Sequence, residues 1–130
     1  MTQKDIELIL LRQWASYLTM AVFLIGADGM LLFYNEPAES LLGQRFDEVG
    51  EVPLERISAM WQTVNEDESP IPSDELSIGI ALLQRQPAHQ VVWFRALDGT
   101  HRKVDVTALP LTGQGNRNLG AVAFFWESPT

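Results

Sequence analysis

Apolar residues crowd the first eighteen positions. Ile6, Leu8, Ile9, Leu10, Leu11, Trp14, Ala15, Tyr17 and Leu18 stand among polar neighbours, and their spacing predicts a helix over residues 3–18. Thr2 can cap it, and Asp5 and Glu7 suit its positive end. The apolar set covers more than one stripe, so this helix is expected to be buried on more than one side, the second side against another subunit. Residues 20–25 are an unbroken apolar run. An Ala27-Asp28-Gly29 turn and a second run over 30–34 complete a predicted hairpin. Asn35-Glu36-Pro37-Ala38 then opens a short helix, with Asn35 or Glu36 as cap, Pro37 in the first turn and Gly43 at the end. Another short helix is expected near 54–61, then a loop over 65–72. Ser73 is expected to cap a further helix, with Asp74 and Glu75 in its first turn, ending near Gln86-Pro87. The last third reads as strands: 88–97, an Asp98-Gly99 turn, 100–110, a Gly- and Asn-rich loop, and 119–126. This order predicts an α+β domain built on one antiparallel sheet, with no repeat and no second domain.

Strand parity assigns faces. A two-residue turn at Asp98-Gly99 sets Leu97 against Thr100 and pairs His89 with Ala108, Val91 with Val106 and Trp93 with Val104. That face is apolar and is expected to line the core. Val92, Phe94 and Ala96 then share the other face with Asp105, Lys103 and His101. The runs 21–25 and 121–126 are apolar at both parities, as strands covered on both faces are. Short helices cover one face. The N-terminal helix is expected over the other, above Val92, Phe94 and the central strands. Its surplus apolar side predicts a homodimer, with Ile6, Leu10, Trp14, Tyr17, Val92 and Phe94 in the interface.

Composition narrows the function. The chain has 130 residues, one domain's worth, and its 46% apolar content rules out general disorder. The formal charge of -8 resides in residues 47–75, which hold nine acids and one base, Arg56, while the rest of the chain is balanced. Such a surface repels polyanions, so no nucleic acid and no anionic membrane is expected as partner. The first residues carry acids where a signal peptide wants positive charge. The run 20–34 is broken by Asp28 and Gly29 and is too short to span a bilayer. A cytoplasmic location is therefore expected. There is no cysteine, hence no disulfide, thiolate metal site or cysteine nucleophile.

The segment Phe23-Leu-Ile-Gly-Ala-Asp-Gly-Met-Leu-Leu-Phe-Tyr-Asn-Glu-Pro-Ala-Glu-Ser-Leu-Leu-Gly resembles the opening of a PAS domain. Ser69-Pro-Ile-Pro-Ser-Asp-Glu-Leu-Ser-Ile-Gly resembles the entry to the PAS F helix. Arg95-Ala-Leu-Asp-Gly-Thr-His-Arg-Lys-Val-Asp-Val resembles its third and fourth strands, and Leu119-Gly-Ala-Val-Ala-Phe-Phe its fifth. The resemblance implies a five-stranded antiparallel sheet of order 2-1-5-4-3. It also implies a flanking dimerisation helix over 1–19, the PAS domain over 20–127 and a tail over 128–130. It further implies a sensory or interaction module that binds a small ligand between the F helix and the inner sheet face, or binds nothing and signals through its dimer. The family's Asp-Ile-Thr after the last strand is absent, since the chain reads Glu127-Ser-Pro-Thr. Output is therefore expected through a partner signalling protein, unless the chain was cut from something longer.

Cofactor chemistry finds few footholds. Flavin photosensors of the LOV type and thioester-linked chromophores need a cysteine. Haem-binding PAS domains commonly use an F-helix histidine, and residues 73–86 contain none. No cofactor is expected. His89 and His101 fall on opposite faces and more than ~20 Å apart on the assumed register, so no metal is expected. Asn65-Glu-Asp-Glu-Ser resembles a calcium loop only briefly, since Pro70 and Leu76 stand where Gly and Glu belong. No nucleophile elbow or phosphate loop is present. What remains is an apolar pocket. Leu76, Ile80 and Leu83 would share one helix face opposite Val91, Trp93, Val104 and Val106, with Trp61 at one end and His89 or Tyr34 as polar groups. A fatty-acid-like or aromatic ligand would suit it, and a fully packed core is the plain alternative. Two other functions compete: a ligand-free dimerisation scaffold, and a small enzyme or carrier on a cone-shaped α+β fold. The enzyme needs an inward acid or base, for which only His89 qualifies, so no enzyme is expected.

Overall fold

Two strands that are apolar on both faces demand two covering layers. The computed structural model describes residues 3–95, 99 and 101–128. Thr2, the proposed cap, lies outside them, as do Leu97, Asp98 and Thr100 of the expected hairpin turn. The elements are α1 (Gln3–Ser16), β1 (Ala21–Gly26), β2 (Leu31–Tyr34), α2 (Glu36–Leu42), α3 (Phe46–Val49), α4 (Leu54–Met60), α5 (Ser77–Gln84), β3 (Ala88–Arg95), β4 (His101–Thr112) and β5 (Asn118–Glu127). The strands form one sheet of order β2-β1-β5-β4-β3, antiparallel throughout, as expected.

β1 and β5 divide their side chains between two cores. Val22, Leu24, Val122 and Phe124 face α1 and pack with its Leu11 and Ala15. Phe23, Ile25, Ala123 and Phe125 face the other way, into a larger core closed by α2, α4 and α5. The two strands run close where they end. Gly120 has φ +127°, and a Cβ there would stand 1.9 Å from the Ile25 carbonyl oxygen, so only glycine fits.

Of the two residues expected to cap α2, Asn35 is the cap, and it does more. Its Oδ1 accepts from Ala38 N–H at 3.2 Å and Val22 N–H at 3.0 Å. Its Nδ2 donates to the carbonyls of Ala15 at 3.0 Å and Met20 at 2.9 Å. One buried amide thus joins the end of α1, the start of β1 and the start of α2. An ion pair between Glu7 and Arg117 ties α1 to the β4–β5 loop.

Two expectations fail. The pairing Arg95↔His101 sets a register that differs by one from that of a two-residue turn. A slip of one residue reverses every side chain. Val92 pairs with Val104 and Phe94 with Arg102, and Val92 and Phe94 are buried inside. His89, Val91 and Trp93 pair with Thr107, Asp105 and Lys103 on the outer face. α1 therefore covers the central strands and does not cover Val92 and Phe94.

The second concerns α5. A single 3-10 turn, Ser73–Glu75, precedes it, and Leu76 is extended (φ −68°, ψ 150°). The helix starts at Ser77, not at Ser73. It ends at Arg85, whose left-handed backbone is held by guanidinium bonds to the carbonyls of Leu111 and Gly120 and to Asn118 and Thr112.

Candidate core cavity and the outer surface

The residues after α4 form the wall of the inner core. Trp61 ends that helix, and its carbonyl accepts from Arg95 N–H at 2.9 Å. Val64 exchanges two backbone bonds with Trp93, at 2.8 and 3.0 Å, so the chain runs briefly along the free edge of β3. At the start of α5, Ser77 N–H donates to Gln90 Oε1 at 2.6 Å. Between these elements and the inner face of the sheet lies a cavity of about 70 Å³.

Trp61, Leu76, Val104 and Val106 line it, as expected. Five expected residues do not. Leu83 is exposed and Ile80 only half-buried, because the late start of α5 turns Ile78, Ala81 and Leu82 inward instead. His89, Val91 and Trp93 left with the register. Val92 and Phe94, assigned to the dimer interface, line the cavity. So do Phe23 and Phe125, whose strands are apolar at both parities and so single out no inward set, and Ser77 and Gln90, which no apolar pattern marks.

Among the described residues, the lining holds no Asp, Glu, Lys, Arg or His. Its polar members are Trp61, Thr63, Ser77 and Gln90. Trp61 Nε1 and Ser77 Oγ are buried without a hydrogen-bond partner. Tyr34 does not line the cavity: it is fully buried against Phe23, and its hydroxyl donates to the Gln44 carbonyl at 3.0 Å. Burial raises its pKa first, and Glu39, Glu48 and Asp47 add to the shift. Pockets for drug-sized ligands run to ~300–1,000 Å³, and a cavity of ~150 Å³ takes benzene. At about 70 Å³ this one is smaller than either.

The outer surface holds the displaced polar groups. His89 Nδ1 meets Thr107 Oγ1 at 2.8 Å, and its Nε2 lies 3.3 Å from Asp105 Oδ1. Ser128 Oγ donates to Asp105 Oδ2 at 2.6 Å. Lys103 Nζ sits 5.5 Å above the Trp93 ring. His89 and His101 share this face, contrary to expectation, yet His101 pairs with Arg95, about 20 Å along β3 from His89. On α1, Ile6, Leu10 and Trp14 are exposed, as is Tyr17 just past its end, with Leu10 at 57% and Tyr17 at 83%. Trp14 also sets its edge against Phe124 at 6.2 Å. Among the described residues, no helix is long and apolar enough to cross a membrane.

No protein-family model matches the chain, and no curated protein matches it in sequence. Solved structures do. The PAS domain of a protein from Colwellia psychrerythraea matches with a TM-score of 0.65 at 15% identity, over 94% of this chain and 97% of that one. The PAS domain of BvgS from Bordetella pertussis matches with a TM-score of 0.65 at 13% identity, over 95% and 87%. That of nitrogen regulation protein NR(II) from Vibrio parahaemolyticus matches with a TM-score of 0.63 at 20% identity, over 92% and 98%. Strand order, the helical cover of the inner face and these matches agree: the chain has the PAS fold.

Proposed function

We propose that this chain is a cytoplasmic sensory and interaction module. It dimerises through α1, senses through its inner cavity, and regulates a partner protein through the state of the dimer. The observation that carries the reading is the double character of α1. Its Leu11 and Ala15 side seals the outer core, while Ile6, Leu10, Trp14 and Tyr17 form an apolar row in water. A helix already docked on its own sheet gains nothing from a second apolar row unless something covers it. A second copy covers it symmetrically. Likeness to the PAS domains of a nitrogen regulation protein and of a sensor histidine kinase supports the signalling role.

Sedimentation equilibrium tests the dimer. The wild-type chain is expected to be dimeric at micromolar concentration, and the double variant Ile6→Glu, Leu10→Glu monomeric with an unchanged far-UV spectrum. A wild-type monomer at high micromolar concentration would overturn the dimer. The partner is expected to meet the acidic segment, so Lys at Glu66, Asp67 and Glu68 should abolish its binding. The small volume of the cavity favours one other reading, a ligand-free dimerisation scaffold, which keeps the dimer and drops the sensing.

A further inference from the structure

We infer that the open edge of β3 pairs with an extended basic segment of a partner protein, which adds a strand beside His89 and Val91 and sets its cations against Glu66 and Asp67. This rests on the acidic segment being the partner's contact and names the kind of segment that meets it.

The chain already uses part of this edge. Val64 pairs antiparallel with Trp93 through both backbone groups, and Trp61 accepts from Arg95 N–H. Trp93 and Arg95 therefore point away from β4. The β3–β4 ladder is regular from Ala88 to Arg95, so by alternation His89 and Val91 turn their N–H and C=O groups the same way. The chain leaves the edge before reaching them. Beyond Val64 it folds into a turn, with Asn65 N–H on the Ser69 carbonyl and Glu68 N–H on the Asn65 carbonyl, both at 2.9 Å. Among the described residues, no backbone group pairs with His89 or Val91 from that side, and both residues are exposed. Sheet edges are commonly guarded by a lysine, a proline or a bulge. Residues 88–91 carry none of these. β2, the other edge, is four residues long and its ladder is irregular.

The surroundings choose the occupant. Asn65, Glu66, Asp67, Val91 and Trp93 line one open groove at the end of the free stretch. Bonds from the Ser69 hydroxyl and N–H hold the Asp67 carboxyl below the usual carboxylate range, so this rim stays charged. An added strand alternates its side chains. Apolar ones can rest on Val91 and Trp93, while cations reach Glu66 and Asp67. A second copy suits this edge poorly, because it brings the same acids to the same place.

The test is an NMR titration of the intact ¹⁵N-labelled chain with capped synthetic peptides: alternating Lys-Val, alternating Glu-Val, and Lys-Val methylated on every backbone nitrogen. Methylation keeps the charge and blocks strand pairing. The Lys-Val peptide is expected to shift the His89 and Val91 amides with saturation and to slow their hydrogen exchange. The Glu-Val and methylated peptides are expected to leave both in place. The double variant Glu66→Lys, Asp67→Lys, on an exposed turn, is expected to weaken Lys-Val binding about tenfold. Equal binding of the methylated peptide, or Lys-Val binding that leaves His89 and Val91 unprotected, would overturn strand addition while the acidic contact stands. Equal binding of the Glu-Val peptide would overturn the basic character of the segment. If no peptide shifts these amides or those of the acidic turn, strand addition and the acidic contact both fall. Protection of His89 and Val91 that grows with protein concentration alone would make a second copy the occupant and overturn the proposal. The dimer through α1 is judged separately by sedimentation.

Discussion

Asn35 uses every hydrogen-bonding group of its side chain, and all four partners are backbone groups of three different elements. Asn35→Ala therefore orphans the N–H groups of Val22 and Ala38, strips one donor each from the carbonyls of Ala15 and Met20, and removes the α2 cap. A loss of about 3 kcal/mol follows from those terms, to be read as a fall in the urea midpoint. A loss under half of that would mean water replaces the amide. Tyr34 makes a pH-dependent contribution. Its folded pKa is raised, chiefly by burial, so the neutral phenol is the form the fold holds. The contribution is complete below the unfolded value of ~10 and fades as pH climbs past it. Tyr34→Phe should cost about 1 kcal/mol at neutral pH through the lost bond to Gln44, and should flatten the alkaline decline of stability. Parallel declines in the two proteins would contradict this. The capping role of Asn35 was legible in Asn-Glu-Pro-Ala. Its bonds to Ala15 and Met20 were not, because they join positions whose approach only the tertiary fold creates.

Among the elements, β3 separates what a pattern can say from what it cannot. The alternation of His89, Val91 and Trp93 against Val92 and Phe94 was plain, but both sets contain large apolar residues, so hydrophobicity alone does not choose the inward one. The choice rested on turn length, and a register shifted by one residue reverses it. The β3 faces give a direct check. Phe94→Ala should cost about 3–5 kcal/mol as a core truncation. Trp93→Ala should cost about 1 kcal/mol, the price of an outer-face ring and its contact with Lys103. Chemical denaturation of the two variants decides, and the reverse ranking would restore the two-residue turn. α5 failed for a related reason. Ser73, Asp74 and Glu75 do start a helical turn, but an extended Leu76 resets the phase, and the apolar row read from Leu76 through Leu83 points elsewhere. By contrast β1 and β5 were unambiguous, because apolar residues at every position admit only one place in a sheet, the middle.

At the scale of the molecule, the two-sided cover and the place of α1 over the central strands were readable, since both follow from which strands are apolar on both faces, whereas the sheet order came from the resemblance to PAS domains. The charge also has a clear place. The acidic segment supplies α4 and its flanking loops on the inner side of the sheet, opposite α1. Repulsion between copies should therefore matter little, and the sedimentation experiment should give similar dimer affinity at low and high salt. A strong rise in affinity with salt would place the acids at the interface. The cavity was the least readable feature: its volume depends on how Phe23, Trp61, Phe94 and Phe125 share space, and no sequence pattern encodes a packing remainder of that size.

The division of β1 and β5 between two cores has a mechanical side. Phe23 and Phe125 belong to the cavity, Val22, Leu24 and Phe124 to the seat of α1, and each is a chain neighbour of one from the other set. The two chambers share no side chain, yet they share every peptide bond of the wall between them. The residues that choose what fills one chamber can therefore change without rewriting the seat on the other. Any swelling of the first must bend the one surface on which the second rests.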